Sequence, residues 1–91
     1  MRAGEGSGRK FESFDRAEMA ILPIVSGEQC IRALSRLGYR RARQRGSHVR
    51  LTCENRLPIT VPLHPTLDRG TLRSILRVVD MDAAEFLALL K

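Results

Sequence analysis

The chain has 91 residues, which limits it to a single hydrophobic core. Its 14 arginines and two lysines outnumber ten acidic residues, for a net charge of +6 at neutral pH. No apolar run approaches the roughly 20 residues of a membrane-spanning helix, and no secretory signal is readable at the start. These features exclude a membrane protein, a large multidomain enzyme and a secreted disulfide scaffold. We therefore expect a cytoplasmic protein with a phosphate-bearing partner, because guanidinium groups pair well with phosphate oxygens.

The first part of the chain differs in composition from the rest. Residues 1–20 are rich in glycine and serine and show no periodic apolar pattern. The charges of residues 1–25 cancel, so the whole excess of +6 lies in the remainder. We expect residues 1–20 to form a flexible extension and residues 21–91 to form the folded domain. Met19 is a second candidate translation start.

The two cysteines, Cys30 and Cys53, are too few for a disulfide framework. They also lack the Cys and His spacings of a zinc site, so no metal or other cofactor is expected. We predict that both are buried thiols in a reducing cytosol; a reactive thiol and a disulfide are the alternatives.

Helical patterns flank a central segment that alternates like strands. A first helix begins near Ser26, which forms a capping-box pattern with Gln29. A second helix, capped by Asp68 or Thr71, runs to about residue 79. A third begins near Asp82, which repeats the capping pattern with Glu85. The apolar positions that place these helices on a core are Cys30, Ile31, Leu34, Leu37, Leu72, Ile75, Leu76, Val79, Phe86, Leu87 and Leu90.

Three strands are predicted between the first two helices, over residues 39–45, 48–53 and 57–61. The second has Val49, Leu51 and Cys53 on one side, and the third has Leu57, Ile59 and Val61. Pro58 lacks an N–H group, which places the third strand at an edge or turns Pro58 outward. The first strand has no clear alternation. The order predicts an α+β fold: a helix, a three-stranded antiparallel sheet, a helix and a short C-terminal helix. Helices would cover one sheet face and leave the other for a ligand.

The central segment is strongly basic. Residues 32–56 contain eight arginines and one acid, Glu54. This density of arginines favours a nucleic acid as the binding partner, because a nucleic acid releases counterions when it binds to such a surface. Partial pairing of these arginines with acids, and an acidic protein partner, are the alternatives. The 4% aromatic content argues against a surface on which single-stranded bases stack.

His48 is the main candidate for chemistry, because alternation with Val49 and Leu51 places it on the exposed face beside Arg50. A neutral imidazole next to a bound phosphate can take a proton from a 2′-hydroxyl, while arginines stabilise the developing charge. Arg43, Arg45 and Arg50 are the candidates for phosphate binding, chosen by proximity in sequence. The alternative is an inert surface histidine. His64 is an RNA contact, a leaving-group acid or a loop-shaping residue. Ser47 is a turn residue that presents His48, and it is also a candidate for RNA or phosphate binding.

From about residue 22 to residue 90 the sequence resembles the HicA family, the small toxins of HicA–HicB toxin–antitoxin pairs. The stretches that carry the resemblance are SGEQCIRALSRLGY (26–39), RQRGSHVRL (43–51), ITVPLH (59–64), GTLRSILR (70–77) and AAEFLALL (83–90).

The resemblance implies a double-stranded-RNA-binding-domain-like fold, ribosome-independent cleavage of mRNA and a HicB-type antitoxin that covers the site. The family's catalytic histidine in Gly-Ser-His corresponds to His48. Many members have a second histidine directly after it, where this chain has Val49. Since Val49 is predicted to point inward, we expect this departure to matter little.

Two other functions compete with an endoribonuclease toxin that uses His48. One is a non-catalytic RNA-binding module of the same fold. The other is a DNA-binding regulator that uses the helices over residues 72–79 and 83–90, but its recognition helix would offer only Arg73 and Arg77.

Overall fold

Three antiparallel strands form a sheet in which strands that follow each other in the chain are neighbours, and helices pack against this sheet. The computed structural model describes residues 22–90, so the predicted extension over residues 1–20 lies outside the described residues. The elements in chain order are α1 (Gly27–Ser35), β1 (Arg40–Arg45), β2 (His48–Cys53), β3 (Arg56–Pro62), α2 (Arg69–Val79) and α3 (Ala83–Leu90). This is the α+β, double-stranded-RNA-binding-domain-like arrangement that the sequence predicts, with its added C-terminal helix.

The core lies between one face of the sheet and the helices. Helices α1 and α3 contact each other, and α1 and α2 both contact β3. Alternate residues of β2 and of the second half of β3 point into this core, because side chains alternate between the two faces of a strand, whereas every residue of β1 is exposed. Among the least exposed side chains are Val49, Leu51 and Val61 from the sheet and Leu34, Leu72, Leu76, Val79 and Phe86 from the helices. The opposite face of the sheet, here called the outer face, carries the other half of the strand residues.

The helix starts follow the capping patterns in the sequence. At α1, the Gln29 N–H donates to the Ser26 hydroxyl at 3.0 Å and the Ser26 N–H donates to the Gln29 side chain at 2.8 Å. Asp82 and Glu85 make the same reciprocal pair ahead of α3, both at 2.9 Å. Asp68 is the N-cap of α2 without a side-chain hydrogen bond. These exchanges satisfy N–H groups that a helix start otherwise leaves unpaired.

Both edge strands contain a β-bulge. Between Arg41 and Arg43, β1 has one residue more than its partner, and β3 has one more between Arg56 and Ile59. The second bulge corrects one prediction: Leu57 does not join Ile59 and Val61 in the core but is 66% exposed. The inserted residue breaks the alternation, and the Tyr39 hydroxyl donates to the Leu57 carbonyl at 2.8 Å. Pro58 is exposed on an edge strand, as predicted.

The cysteines are free thiols in different surroundings. Cys30 is fully buried, and burial raises the pKa of its thiol from 9.0 to about 12. Cys53 is only half-buried, contrary to the prediction that both are buried, since it lies at the strand end beside the β3 bulge. Among residues 22–90, no helix has the length and apolar content needed to cross a membrane.

Candidate functional site

The strand register gathers the exposed polar side chains into rows on the outer face. Arg45 lies opposite His48, which lies opposite Pro62. In the next row, Arg43 lies opposite Arg50, and Arg50 lies opposite Thr60. Residues directly opposite each other on paired strands share one face of the sheet. The register therefore brings two strand-β1 arginines beside His48 and Arg50.

These side chains surround a shallow depression of about 320 Å³, here called the basic concavity. It is lined by Arg43, Arg45, His48, Arg50 and Thr60. All five residues are exposed, so within the described part of the chain a large ligand has direct access to the imidazole. Among residues 22–90, no carboxylate lines the concavity, so its three guanidinium groups favour an anionic ligand.

The bulge in β1 explains why the sequence of this strand shows no clear alternation. Arg41 and Arg43 would share a face in a regular strand, because they are two residues apart. With the inserted residue, Arg43 lines the basic concavity while Arg41 donates to a carboxylate oxygen of Glu28 on α1 at 2.7 Å. Arg41 is thus partly neutralised beside the helices, and Arg43 is left for the outer face.

His48 directly follows a tight turn. Gly46 and Ser47 connect β1 to β2, and Gly46 has a φ of 59°. Glycine adopts this left-handed conformation without the steric cost that a side chain imposes. A two-residue connection with positive φ only at its first central residue is typical of a type II′ turn, which suits paired antiparallel strands. The turn therefore fixes the register that sets His48 opposite Arg45.

Backbone hydrogen bonds hold this turn against the body of the protein. The Leu63 N–H donates to the Ser47 carbonyl at 2.6 Å, and the Gly27 N–H donates to the His64 carbonyl at 2.9 Å. At Gly27 a Cβ atom would lie 2.0 Å from the Pro62 carbonyl oxygen, so only glycine allows this close approach. The start of α1, the end of β3 and the turn before His48 thus form one connected unit.

The structure brings together four of the six residues proposed from sequence, namely Arg43, Arg45, His48 and Arg50. Ser47 is exposed on the adjacent turn, and its carbonyl anchors Leu63. His64 is exposed in the loop after β3 and does not line the basic concavity; its carbonyl anchors α1.

Thr60 is the residue of the basic concavity that the sequence reasoning missed. Its hydroxyl accepts a hydrogen bond from Arg50 Nη1 at 3.2 Å. The signal was present: Ile59 and Val61 alternate inward, which turns Thr60 outward on the strand beside Arg50. Within the described residues, no group of three His, Cys, Asp or Glu side chains is placed to hold a metal ion.

Comparison with protein families assigns the class of this molecule. The family model described as "HicA toxin of bacterial toxin-antitoxin" matches residues 27–81, from the start of α1 to just beyond α2. This range contains every residue of the basic concavity. Searches of curated proteins and of solved structures found no match. The chain belongs to the HicA toxin family. It is therefore a toxin of a bacterial toxin–antitoxin pair, and family membership implies an antitoxin partner.

Proposed function

We propose that this toxin is an endoribonuclease that cleaves mRNA in the cytoplasm with His48 as its catalytic residue and without a metal ion. The observation that carries the proposal is the position of His48, exposed among three arginines in a concavity to which the described part of the chain contributes no carboxylate. An imidazole supplies a proton acceptor, and guanidinium groups bind phosphate and stabilise added negative charge. Family membership in a group of toxins supports the same function.

The chemistry follows from this set of groups. The neutral His48 imidazole takes the proton of a 2′-hydroxyl, and the resulting oxygen attacks the adjacent phosphorus. The bond from phosphorus to the 5′-oxygen breaks, which leaves a 2′,3′-cyclic phosphate on one fragment and a 5′-hydroxyl on the other. The departing oxygen takes its proton from water, and the protonated imidazole returns its proton to the hydroxide that remains. Arg43, Arg45 and Arg50 hold the phosphate and stabilise the charge that builds up on its oxygens.

Ser47 and His64 extend the proposed RNA-binding surface beyond the reacting phosphate. Both are exposed, and the Leu63–Ser47 hydrogen bond brings the turn and the loop after β3 to the same end of the sheet. We assign them contacts with the neighbouring nucleotides. In this assignment His64 binds RNA and takes no part in the proton transfers.

The deciding experiment compares wild type with His48→Ala on an end-labelled RNA in the presence of EDTA. Wild type is expected to produce fragments that end in a 2′,3′-cyclic phosphate, and His48→Ala to produce none while its thermal unfolding midpoint is retained. His64→Ala is the matched control, since it removes an exposed imidazole outside the basic concavity and should still cleave. Cleavage by His48→Ala at the wild-type rate would contradict the assignment. Salt-sensitive RNA binding by wild type without any product would instead identify a non-catalytic RNA-binding module.

The antitoxin that family membership implies is proposed to be a HicB-type protein that covers the basic concavity. The outer face is open and exposed, so a bound protein can exclude RNA from it directly. A gene next to that of the toxin should encode a protein that binds this chain and blocks cleavage. Binding of that protein without any effect on RNA access would contradict coverage of the concavity.

We also propose that residues 21–91 are the working unit. The described core includes Leu22 and Val25, which both lie within the proposed domain. A chain that starts at Met19 should cleave RNA at the rate of the full chain and unfold at the same temperature. A loss of activity in this shorter chain would assign a role to the removed residues.

A further inference from the structure

Arg50 and Thr60 form a cross-strand pair on the outer face, and their side chains are hydrogen-bonded. Arg50 Nη1 donates to Thr60 Oγ1 at 3.2 Å, and the two residues lie directly opposite each other in the β2–β3 register. Arg50 is also two residues from His48 on the same strand, so both point to the same face. Thr60 thus contacts a group that adjoins the proposed catalytic imidazole.

Packing in the hydrophobic core does not explain this hydrogen-bonded pair. Both residues are exposed, while the neighbours of Thr60 on β3, Ile59 and Val61, are buried. A valine at position 60 would fit a strand at least as well as threonine, because both are β-branched and valine has a high preference for strands. The hydroxyl is therefore not needed for the sheet itself.

On the side away from Thr60, Arg50 faces another positively charged residue. Its partner in β1 is Arg43, and like charges directly opposite each other on paired strands repel. The hydrogen bond to Thr60 holds the Arg50 guanidinium on the β3 side, away from Arg43. Two guanidinium groups held apart in this way can bind a single phosphate from two sides.

We propose that Thr60 is a positioning residue that holds Arg50 beside His48, so that Arg43 and Arg50 together clamp an RNA phosphodiester. The inference rests on the proposed function, because it deepens the account of the same site. Thr60 acts through Arg50 and contributes by limiting the orientations of a long, flexible side chain before RNA binds.

The test uses Thr60→Val, which removes the hydroxyl and keeps the shape of the side chain. Loss of one hydrogen bond to a charged group is expected to lower both kcat/KM and RNA affinity about threefold to tenfold. Thr60→Ser keeps the hydroxyl and should retain wild-type values. The matched control is Thr52→Val, the same change on the outer face opposite Arg40, which should also leave both values unchanged. Thermal unfolding midpoints of all three variants should not fall.

A double-mutant cycle then asks whether Thr60 acts through Arg50. In an Arg50→Ala background, Thr60→Val is expected to change kcat/KM and RNA affinity less than about twofold, because nothing remains to be positioned. An equal loss in both backgrounds, or no loss in either, would overturn the positioning role. RNA affinity is measured by fluorescence anisotropy with a labelled oligonucleotide in a His48→Ala background, where the RNA stays intact. Absence of His48-dependent cleavage would contradict the proposed function, while unchanged affinity in Thr60→Val contradicts the inference drawn here.

Discussion

Arg41 and Arg43 lie two residues apart on β1, yet they serve opposite sides of the sheet. Arg41 pairs with Glu28 on α1, and Arg43 lines the basic concavity opposite Arg50. The bulge between them is the cause. One strand thus supplies a charge to the helix layer and a charge to the outer face.

This separation predicts different effects for two substitutions that remove the same charge. Arg43→Ala should lower RNA cleavage at least tenfold, because it removes a group that holds the phosphate. Arg41→Ala should change cleavage less than about threefold and stability by at most about 1 kcal/mol, since the ion pair with Glu28 is half-exposed. The measurements are kcat/KM on a labelled RNA and the free energy of unfolding in urea. Equal losses of activity in the two variants would show that only the net charge matters.

The salt dependence of RNA affinity should report how many arginines contact phosphates. Each contact with a single strand contributes about 0.7 to the slope of log K against log salt concentration. Arg43→Ala, Arg45→Ala and Arg50→Ala should each lower the slope by about this amount, and Arg41→Ala should leave it unchanged. The slopes are measured by anisotropy between about 50 and 200 mM salt. A slope that falls equally for all four variants would argue against contact through the basic concavity.

Gly27 is predicted to be irreplaceable, although it lies in a helix. Its Cβ position is only 2.0 Å from the Pro62 carbonyl oxygen, and backbone atoms cannot yield as a side-chain end can. Gly27→Ala should destabilise the protein by roughly 2 kcal/mol or more, as overpacking does. It should also reduce cleavage, since the same contact anchors the loop bonded to Ser47.

Gly70 provides the matched control in α2. A Cβ there meets no atom within 4 Å, so Gly70→Ala should keep or raise stability, by up to about 1 kcal/mol from helix propensity. The free energy of unfolding is measured by urea titration for both alanine variants. A Gly27→Ala protein as stable as Gly70→Ala would disprove the tight contact.

The protein should become less stable in alkaline solution, because the buried Cys30 thiol and Tyr39 hydroxyl stay protonated in the folded state. Burial raises the pKa of Cys30 to about 12, so the unfolded chain releases this proton from about pH 9 while the folded protein retains it. The unfolded state then binds fewer protons, and stability falls as pH rises, by up to about 1.4 kcal/mol per pH unit for one group. Burial also raises the pKa of Tyr39, which adds to the fall above about pH 10.

Cys30→Ala separates the thiol from other alkaline effects. This variant should be less stable at pH 7, because it leaves a cavity. Its free energy of unfolding should nevertheless decline less steeply between pH 9 and pH 10 than that of wild type. Parallel declines in the two proteins would exclude Cys30 as the source.

Local rules in the sequence predicted the parts of the fold that depend on near neighbours. The capping pairs Ser26–Gln29 and Asp82–Glu85 mark helix starts, and the alternation of β2 places Val49 inward and His48 outward. Such rules could not predict the exposure of Leu57 or the direction of the Arg41 side chain, because each depends on a bulge set by the pairing of two strands. The alternation of Ile59 and Val61 indicates that Thr60 points outward, but its contact with Arg50 depends on the pairing of β3 with β2. His64 lies outside the concavity because its loop is hydrogen-bonded to Gly27 of α1, a residue 37 positions away in the sequence.

The inserted residues at the two borders of the sheet also affect how other chains can approach. A straight, unpaired strand offers a regular row of amides and carbonyls to which a further strand can add. A strand interrupted by a bulge does not, and here the β1 border is also rich in arginine while the β3 border contains Pro58. We therefore expect copies of this protein to resist stacking strand to strand when they accumulate without their antitoxin. Assembly with other molecules is then directed to the broad surfaces of the sheet and helices, where side chains rather than backbone groups determine which partner is accepted.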